Sequence, residues 1–157
     1  FTEALNEIGF IMRGEIIWQK SKGANANFAW GSWLSASNPV IRDIHEYCLV
    51  FSKDSMKNSS GGKSTIEKDE FMESTLSIWN IPPEKSKKIG HPAPFPVELP
   101  KKFINLYSFK DDLILDPFIG SGTTAVASKL LKRKYVGYEI NKNYIEIANN
   151  RLKMETS

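Results

Sequence analysis

From Ile11 to Trp18 apolar and polar residues alternate: Met12, Gly14, Ile16 and Trp18 face one way, Ile11, Arg13, Glu15 and Ile17 the other. A period of two predicts a half-buried strand. Ahead of it, Leu5 and Ile8 stand three apart and Gly9 follows. That spacing predicts that Phe1 to Ile8 forms the last turns of an amphipathic helix, closed by a glycine in the left-handed conformation. A helix already under way at its first residue leads us to expect a piece of a longer protein. Glu46 to Phe51 predicts a second strand, apolar enough for burial on both faces. Between the strands, Lys20 to Ile44 is rich in Gly, Ala, Ser and Asn and carries Phe28, Trp30 and Trp33; so long a connection usually serves a function. Ser52 to Ser64, which includes Asn58-Ser59-Ser60-Gly61-Gly62, is flexible by composition, and Glu67 to Ser77 predicts a short polar helix.

The last third has the clearest grammar. Asp112-Leu113-Ile114-Leu115-Asp116 reads as a short buried strand and Gly120-Ser121-Gly122 as a tight turn. Thr123 to Arg133 reads as a helix with Ala127, Leu130 and Leu131 on its inner face, and Lys134 to Ile140 as another strand. Asn141 then caps a helix whose apolar stripe is Tyr144, Ile147, Ala148 and Leu152. Strand, turn, helix, strand, helix in that order is half of a doubly wound parallel sheet, so the fold class is α/β.

Composition narrows the function classes. A chain of 157 residues can bury roughly two-thirds of its unfolded surface, enough for one globular domain over 1–157. A net charge of +3 tolerates a nucleic-acid partner without demanding one. One cysteine, Cys48, excludes an internal disulfide and points to a reducing compartment. With His45 and His91 as its only companions, it also argues against a Cys/His zinc site, and no metal is expected. No apolar run approaches the roughly 18–20 residues that span a bilayer. The expectation is a soluble, cytoplasmic protein with no membrane partner.

Gly120-Ser121-Gly122-Thr123-Thr124-Ala125 fits the G-x-G-x-x-G/A template that opens nucleotide-binding units. Its glycines let the backbone approach a ligand, and the helix starting at Thr123 presents free N–H groups. Glu139, 17 residues past Gly122 at the end of the next strand, can accept hydrogen bonds from both hydroxyls of a ribose. Dinucleotide folds usually run from strand directly into the first glycine. Here Asp116-Pro117-Phe118-Ile119 intervenes, and a carboxylate at that strand end repels a pyrophosphate. It suits the ammonium group of a methionine, and Phe118 offers an aromatic wall to a sulfonium-bearing chain. The alternative is that Asp116 merely caps the turn and Phe118 belongs to the core. The local chemistry favours S-adenosyl-L-methionine over a nicotinamide dinucleotide.

Asp116-Pro117-Phe118-Ile119-Gly120-Ser121-Gly122-Thr123-Thr124 resembles the cofactor-binding motif of the DNA amino-methyltransferases, specific for adenine N6 or cytosine N4. Upstream, His91-Pro92-Ala93-Pro94-Phe95-Pro96 resembles the element that closes over the methionine end of the cofactor. Trp30-Gly31-Ser32-Trp33, Ser37-Asn38-Pro39-Val40, His45-Glu46-Tyr47 and Leu49-Val50-Phe51-Ser52-Lys53 resemble the strand pair and loop near the target base. This order of motifs is similar to that of the beta group. The resemblance implies a Rossmann-like methyltransferase fold, incomplete here because central strands are missing, with a cofactor-binding half at 112–153. It implies cofactor contacts at Ala93, Pro94, Phe95, Asp116, Pro117, Phe118, Gly120, Ser121, Gly122, Thr123, Thr124, Glu139 and Ile140. It also implies double-stranded DNA as partner, with residues 54–75 a flexible insertion or short target-recognition region.

In that family a loop of the form Asp/Asn/Ser-Pro-Pro-Tyr/Phe accepts the protons of the target amine and stacks on the flipped base. No such run occurs in these 157 residues, so no catalytic residue is assigned. Asn80-Ile81-Pro82-Pro83-Glu84 has the prolines but interposes Ile81 and lacks the ring, and Asn38-Pro39-Val40 lacks both second proline and ring. The catalytic segment is therefore expected in cis or in trans, and the chain alone is expected to be unstable or inactive; a homodimer is a further expectation. For DNA the candidates are Lys20, Trp30, Arg42 and His45, with Lys22, Lys53 and Trp33 beside them. A tryptophan in the core, a His45 bonded within the fold and a merely solvated run at Lys85, Lys87 and Lys88 are the alternatives. Two other functions compete: a noncatalytic binding remnant or split-enzyme subunit, and a nicotinamide oxidoreductase sharing the glycine turn.

Overall fold

A computed structural model describes residues 2–20, 36–39, 41, 43–59, 61–84 and 95–155. The chain divides into two compact units, Phe1–Asp54 with Ser77–Pro82 and Ser55–Leu76 with Pro83–Ser157.

In the first unit, α1 (Thr2–Glu7) ends where the Gly9 N–H donates to Asn6 O at 3.0 Å, with Gly9 at φ +92°. β1 (Phe10–Gln19) pairs antiparallel with β2 (His45–Lys53) and parallel with β3 (Ile78–Asn80), in the order β2-β1-β3. The register slips between Met12 and Gly14, a bulge with Arg13 as its extra residue and Gly14 beside it. The expected alternation in β1 holds only from Gly14 to Trp18, where Ile16 and Trp18 are buried on one face beside Trp79 and Ile81; the slip turns Met12 off that face and leaves it exposed. The indole Nε1 of Trp18 donates to Ile81 O at 2.7 Å, which satisfies the buried ring N–H. β2 departs from expectation. It lies at the edge of its sheet, Cys48 to Phe51 are only half-buried and Tyr47 is exposed, because an edge strand has one neighbour and little to cover its second face. Burial, with Glu46 adding to it, pushes the Cys48 thiol up. We expect Cys48 alkylation at pH 7.5 to run slower than that of a free thiol and to rise with a midpoint above the ordinary cysteine range, read by iodoacetamide kinetics.

The second unit holds α2 (Lys68–Ser74), α3 (Glu98–Tyr107), β4 (Leu113–Asp116), α4 (Thr123–Leu130), β5 (Lys134–Gly137) and α5 (Lys142–Met154). β4 and β5 pair in parallel, joined through α4. Asn141 caps α5 as expected, its Oδ1 accepting from Asn143 N at 2.9 Å. Two expectations fail here. The inner face of α4 is Ala125, Val126 and Ala127, while Leu130 is exposed. The helix also stops three residues early. Arg133 N donates to Ser128 O and Lys132 N to Lys129 O, with Lys132 at φ +59°, a Schellman closure with a lysine in the glycine position. Lys132→Gly should stabilise the protein by about 1 kcal/mol, read from a urea midpoint.

β4 has the apolar residues of a buried strand but an open face, as expected of a sheet whose central strands are not among these residues. Leu113 and Leu115 are 63% and 61% exposed, and Tyr138 just past β5 is 63% exposed. A parallel pair is covered on both faces only when helices lie on both, and among the described residues the face bearing Leu113 and Leu115 stays open.

Residues 65–74 are held to α3 by polar bonds. Asn105 links Thr65 Oγ1 (3.2 Å) to Glu70 Oε1 (2.8 Å), and the Lys102 ammonium donates to Glu73 Oε1 (3.0 Å) and Ser74 Oγ (3.2 Å). Arg133, 4% exposed, donates to Thr65 Oγ1 (2.6 Å), Leu131 O (2.7 Å), Ser108 O (2.7 Å) and Ser108 Oγ (3.1 Å). A lysine ammonium cannot serve acceptors so spread, so Arg133→Lys should cost about 3 kcal/mol of unfolding free energy in a urea titration of the intact protein.

Candidate cofactor site at the glycine turn

The turn grows out of the β4–β5 ladder. Pairing continues past the strands, with Tyr138 N donating to Asp116 O (3.1 Å) and Ile119 N to Tyr138 O (3.0 Å). Asp116 Oδ1 accepts from Phe118 N at 3.0 Å, which turns the chain away from the strand. Asp116 thus does cap the turn, but Phe118 is no core residue, being 87% exposed. Gly120 at φ +51° and Gly122 at φ +82° both occupy the left-handed region. A Cβ on Gly122 would sit 2.8 Å from Ala148 Cβ and 3.0 Å from Ala148 Cα, so the absent side chain is also what lets α5 pack against the start of α4.

Two charged side chains grip this turn. Glu139 Oε2 accepts from Gly120 N (3.1 Å) and its Oε1 from Asn141 N (2.8 Å). Arg151, on α5, donates from Nη1 to Ser121 O (3.0 Å), Ser121 Oγ (3.2 Å) and Thr123 Oγ1 (3.0 Å). Gly120, Ser121, Gly122 and Thr123 are buried, Thr124 is half-buried, and Pro117 is exposed. Ile140, past the end of β5, is fully exposed. A cleft of about 270 Å³ opens beside Glu139 between β5 and α5, lined also by Ile119, Tyr138, Ile145 and Ala148; Asp116, Phe118, Gly120, Gly122 and Ile140 do not line it.

These residues fit an adenosine carrying a cationic side chain. A carboxylate offers about four acceptor positions, so with two N–H groups bound Glu139 keeps capacity for a diol. Phe118 and Ile140 are apolar side chains at the ends of adjoining strands without protein cover, as a flat base requires. Asp116 at the mouth of the turn disfavours phosphate. Among the described residues no His/Cys/Asp/Glu cluster could hold a metal ion, and no helix is long and apolar enough to cross a membrane.

The structure brings together Asp116, Pro117, Phe118, Gly120, Ser121, Gly122, Thr123, Thr124, Glu139 and Ile140 within one unit, which also contains the half-buried Phe95. Ala93 and Pro94 lie outside the described residues, as do Trp30 and Arg42. Lys20 and His45 belong to the other unit. Lys20 forms an ion pair with Glu46 and stands 5.4 Å over the Trp18 ring, and the His45 ring meets Tyr47 edge-on at 5.0 Å. Sequence reasoning misses Arg151, although its place three residues after Ala148 on the inner stripe of α5 is an available signal.

The glycine turn, Glu139 and the β4–α4–β5 frame form half of a parallel α/β unit. The DNA methylase family model of the N6/N4 type matches residues 1–150, and the chain belongs to that family. The type II methyltransferase M.MjaI of Methanocaldococcus jannaschii is 32% identical over 161 residues, covering 96% of this chain and 52% of that protein. M.HindIII of Haemophilus influenzae is 30% identical over 184 residues, covering 97% and 58%. Among solved structures, TTHA0409 of Thermus thermophilus, a DNA modification methylase by name and complexed with S-adenosyl-L-methionine, superposes with a TM-score of 0.77 at 27% identity, over 96% of this chain and 56% of that one. The chain spans about half the length of the curated relatives it matches. The fold is thus a partial α/β domain of the methyltransferase kind.

Proposed function

We propose that this chain is the cofactor-binding portion of a cytoplasmic DNA methyltransferase that moves the methyl group of S-adenosyl-L-methionine to the exocyclic amine of adenine or cytosine in double-stranded DNA. The observation that carries the reading is the Gly120–Thr123 turn gripped by Glu139, with Phe118 and Ile140 left bare beside it. In the reaction the amine nitrogen forms a bond to the methyl carbon, the carbon–sulfur bond breaks to leave a thioether, and the amine gives up one proton. The residues of the turn bind and orient; the enzyme's gain comes from positioning. The type II names of the relatives favour a place in a restriction–modification system.

The group that receives the amine protons is supplied from outside these residues, in cis or in trans. Asn80-Ile81-Pro82-Pro83 is structural: Ile81 is buried, its carbonyl accepts the Trp18 indole, and its N–H donates to Gln19 O at 3.2 Å. The open face bearing Leu113 and Leu115 suits the segment that completes the sheet. Isolated, the 157-residue chain should bind a hydrophobic dye and elute as aggregates or as a self-paired dimer, and co-expression with the completing segment should abolish both.

Calorimetric titration of the intact protein tests the reading. S-adenosyl-L-methionine should bind and a nicotinamide dinucleotide should not, and Asp116→Ala should weaken the former at least about tenfold. Tight nicotinamide binding would replace this reading with an oxidoreductase. Cofactor binding without methyl transfer to DNA would indicate a noncatalytic subunit.

A further inference from the structure

We propose that Arg151 is the positioning residue of the cofactor turn: from α5 it holds the Ser121 carbonyl and the Thr123 hydroxyl, and so fixes the pitch at which the N–H groups of the turn meet the cofactor. The inference rests on the reading of this turn as the S-adenosyl-L-methionine site. Arg151 is 9% exposed, and its Nη1, with two protons, stands within 3.0–3.2 Å of three acceptors, all on residues 121 and 123. Its Nε is fixed separately by Glu155 Oε1 at 2.9 Å, one helical turn further on. The guanidinium is planar and pre-organised, so the fork reaches the turn with little freedom left to lose. Three residues earlier on the same face, Ala148 closes against Gly122. Glu139 holds the Gly120 N–H from the other side. The turn is therefore set between an acid on its first N–H and a base on its middle carbonyl, and releasing either end lets it rotate.

The test uses the intact protein in three variants. Arg151→Met should speed amide hydrogen exchange across residues 119–124 at least about tenfold in the ligand-free protein. It should raise the dissociation constant for S-adenosyl-L-methionine about 10- to 100-fold, with kcat at saturating cofactor within about threefold of wild type. Arg151→Lys, a point charge able to serve fewer acceptors, should fall between. Glu155→Gln removes the charge of the outer anchor but keeps one acceptor oxygen for Nε and all the turn contacts, so its affinity should stay within about twofold while its melting temperature drops. Wild-type exchange and affinity in Arg151→Met overturn the proposal, as does a Glu155→Gln that loses as much affinity as Arg151→Met. If Arg151→Met fails to fold, the other pair decides. Affinity lost in Arg151→Lys and kept in Glu155→Gln supports the proposal, and any other pattern overturns it. A wild-type protein that binds no S-adenosyl-L-methionine, while Arg151→Met still loosens 119–124, defeats the cofactor reading and leaves the hold of Arg151 on the turn standing.

Discussion

Gly122→Val should abolish measurable binding of S-adenosyl-L-methionine to the intact protein and with it methyl transfer. Two separate costs fall on that one substitution. The backbone at φ +82° lies where an L-residue is strained, and a β-branched residue most of all. The new Cβ would also enter Ala148, whose Cα at 3.0 Å is backbone and cannot rotate away. Relief requires α5 to retreat from the start of α4. That movement would carry Arg151 away from Ser121 and open the turn as well. A loss of affinity of at least about 100-fold is expected, since displacements on the order of 1 Å at a binding turn have effects of that size.

A paired glycine separates this from a general intolerance. Gly14 sits at the bulge in β1 with nothing within 4 Å of its notional Cβ and no positive φ. Gly14→Ala should therefore leave cofactor affinity within about twofold. Gly122→Ala should still lose most of it, because the first carbon of the side chain already makes the clash. Calorimetry on the three variants, with circular dichroism to confirm folding, reads the outcome; tight binding by Gly122→Ala would show that α5 is not held where the structure has it.

Where the sequence is legible, the cause is a short-range rule acting alone. The alternation of β1 from Gly14 to Trp18, the left-handed Gly9, the Asn141 cap and the glycine turn each follow from residues within one turn or one pleat. α3 escapes notice because its buried face is half polar: Lys102 and Asn105 lie inward with Leu99 and Ile104. They can do so only because Glu70, Glu73, Ser74 and Thr65, some thirty to forty residues away, satisfy them. β3 is three residues long and owes its existence to β1. In the site the same division recurs. Asp116, Gly120, Gly122 and Glu139 follow from motif spacing, whereas Arg151 has the spacing of the inner stripe but the charge of a solvated face, and its acceptors on Ser121 and Thr123 are some thirty residues away. The bare face at Leu113 and Leu115 is legible in the same way, since a strand apolar enough for burial stays exposed when the strands that would complete its sheet are not among these residues.

Glu139→Ala should cost S-adenosyl-L-methionine at least about 100-fold in affinity, roughly 3 kcal/mol, because hydrogen bonds to a charged acceptor are worth about 1.5–3 kcal/mol each and a ribose diol would make two. Glu139→Gln is not a mild change at this position. One carboxylate oxygen accepts from Gly120 N and the other from Asn141 N. An amide has a single oxygen, so its NH₂ must face one of those two donors, and either the turn or the start of α5 loses its tether. Gln should thus approach Ala in effect, and Asp, one methylene shorter, cannot span both N–H groups. The two duties of Glu139, tethering the turn and binding the sugar, separate in a double-mutant cycle with a 2′-deoxy analogue of the cofactor product. Wild type should prefer the ribose form over the deoxy form by about tenfold, and Glu139→Ala should bind both equally weakly. If Glu139→Ala keeps the preference, the ribose lies elsewhere and the acid serves only to hold the turn.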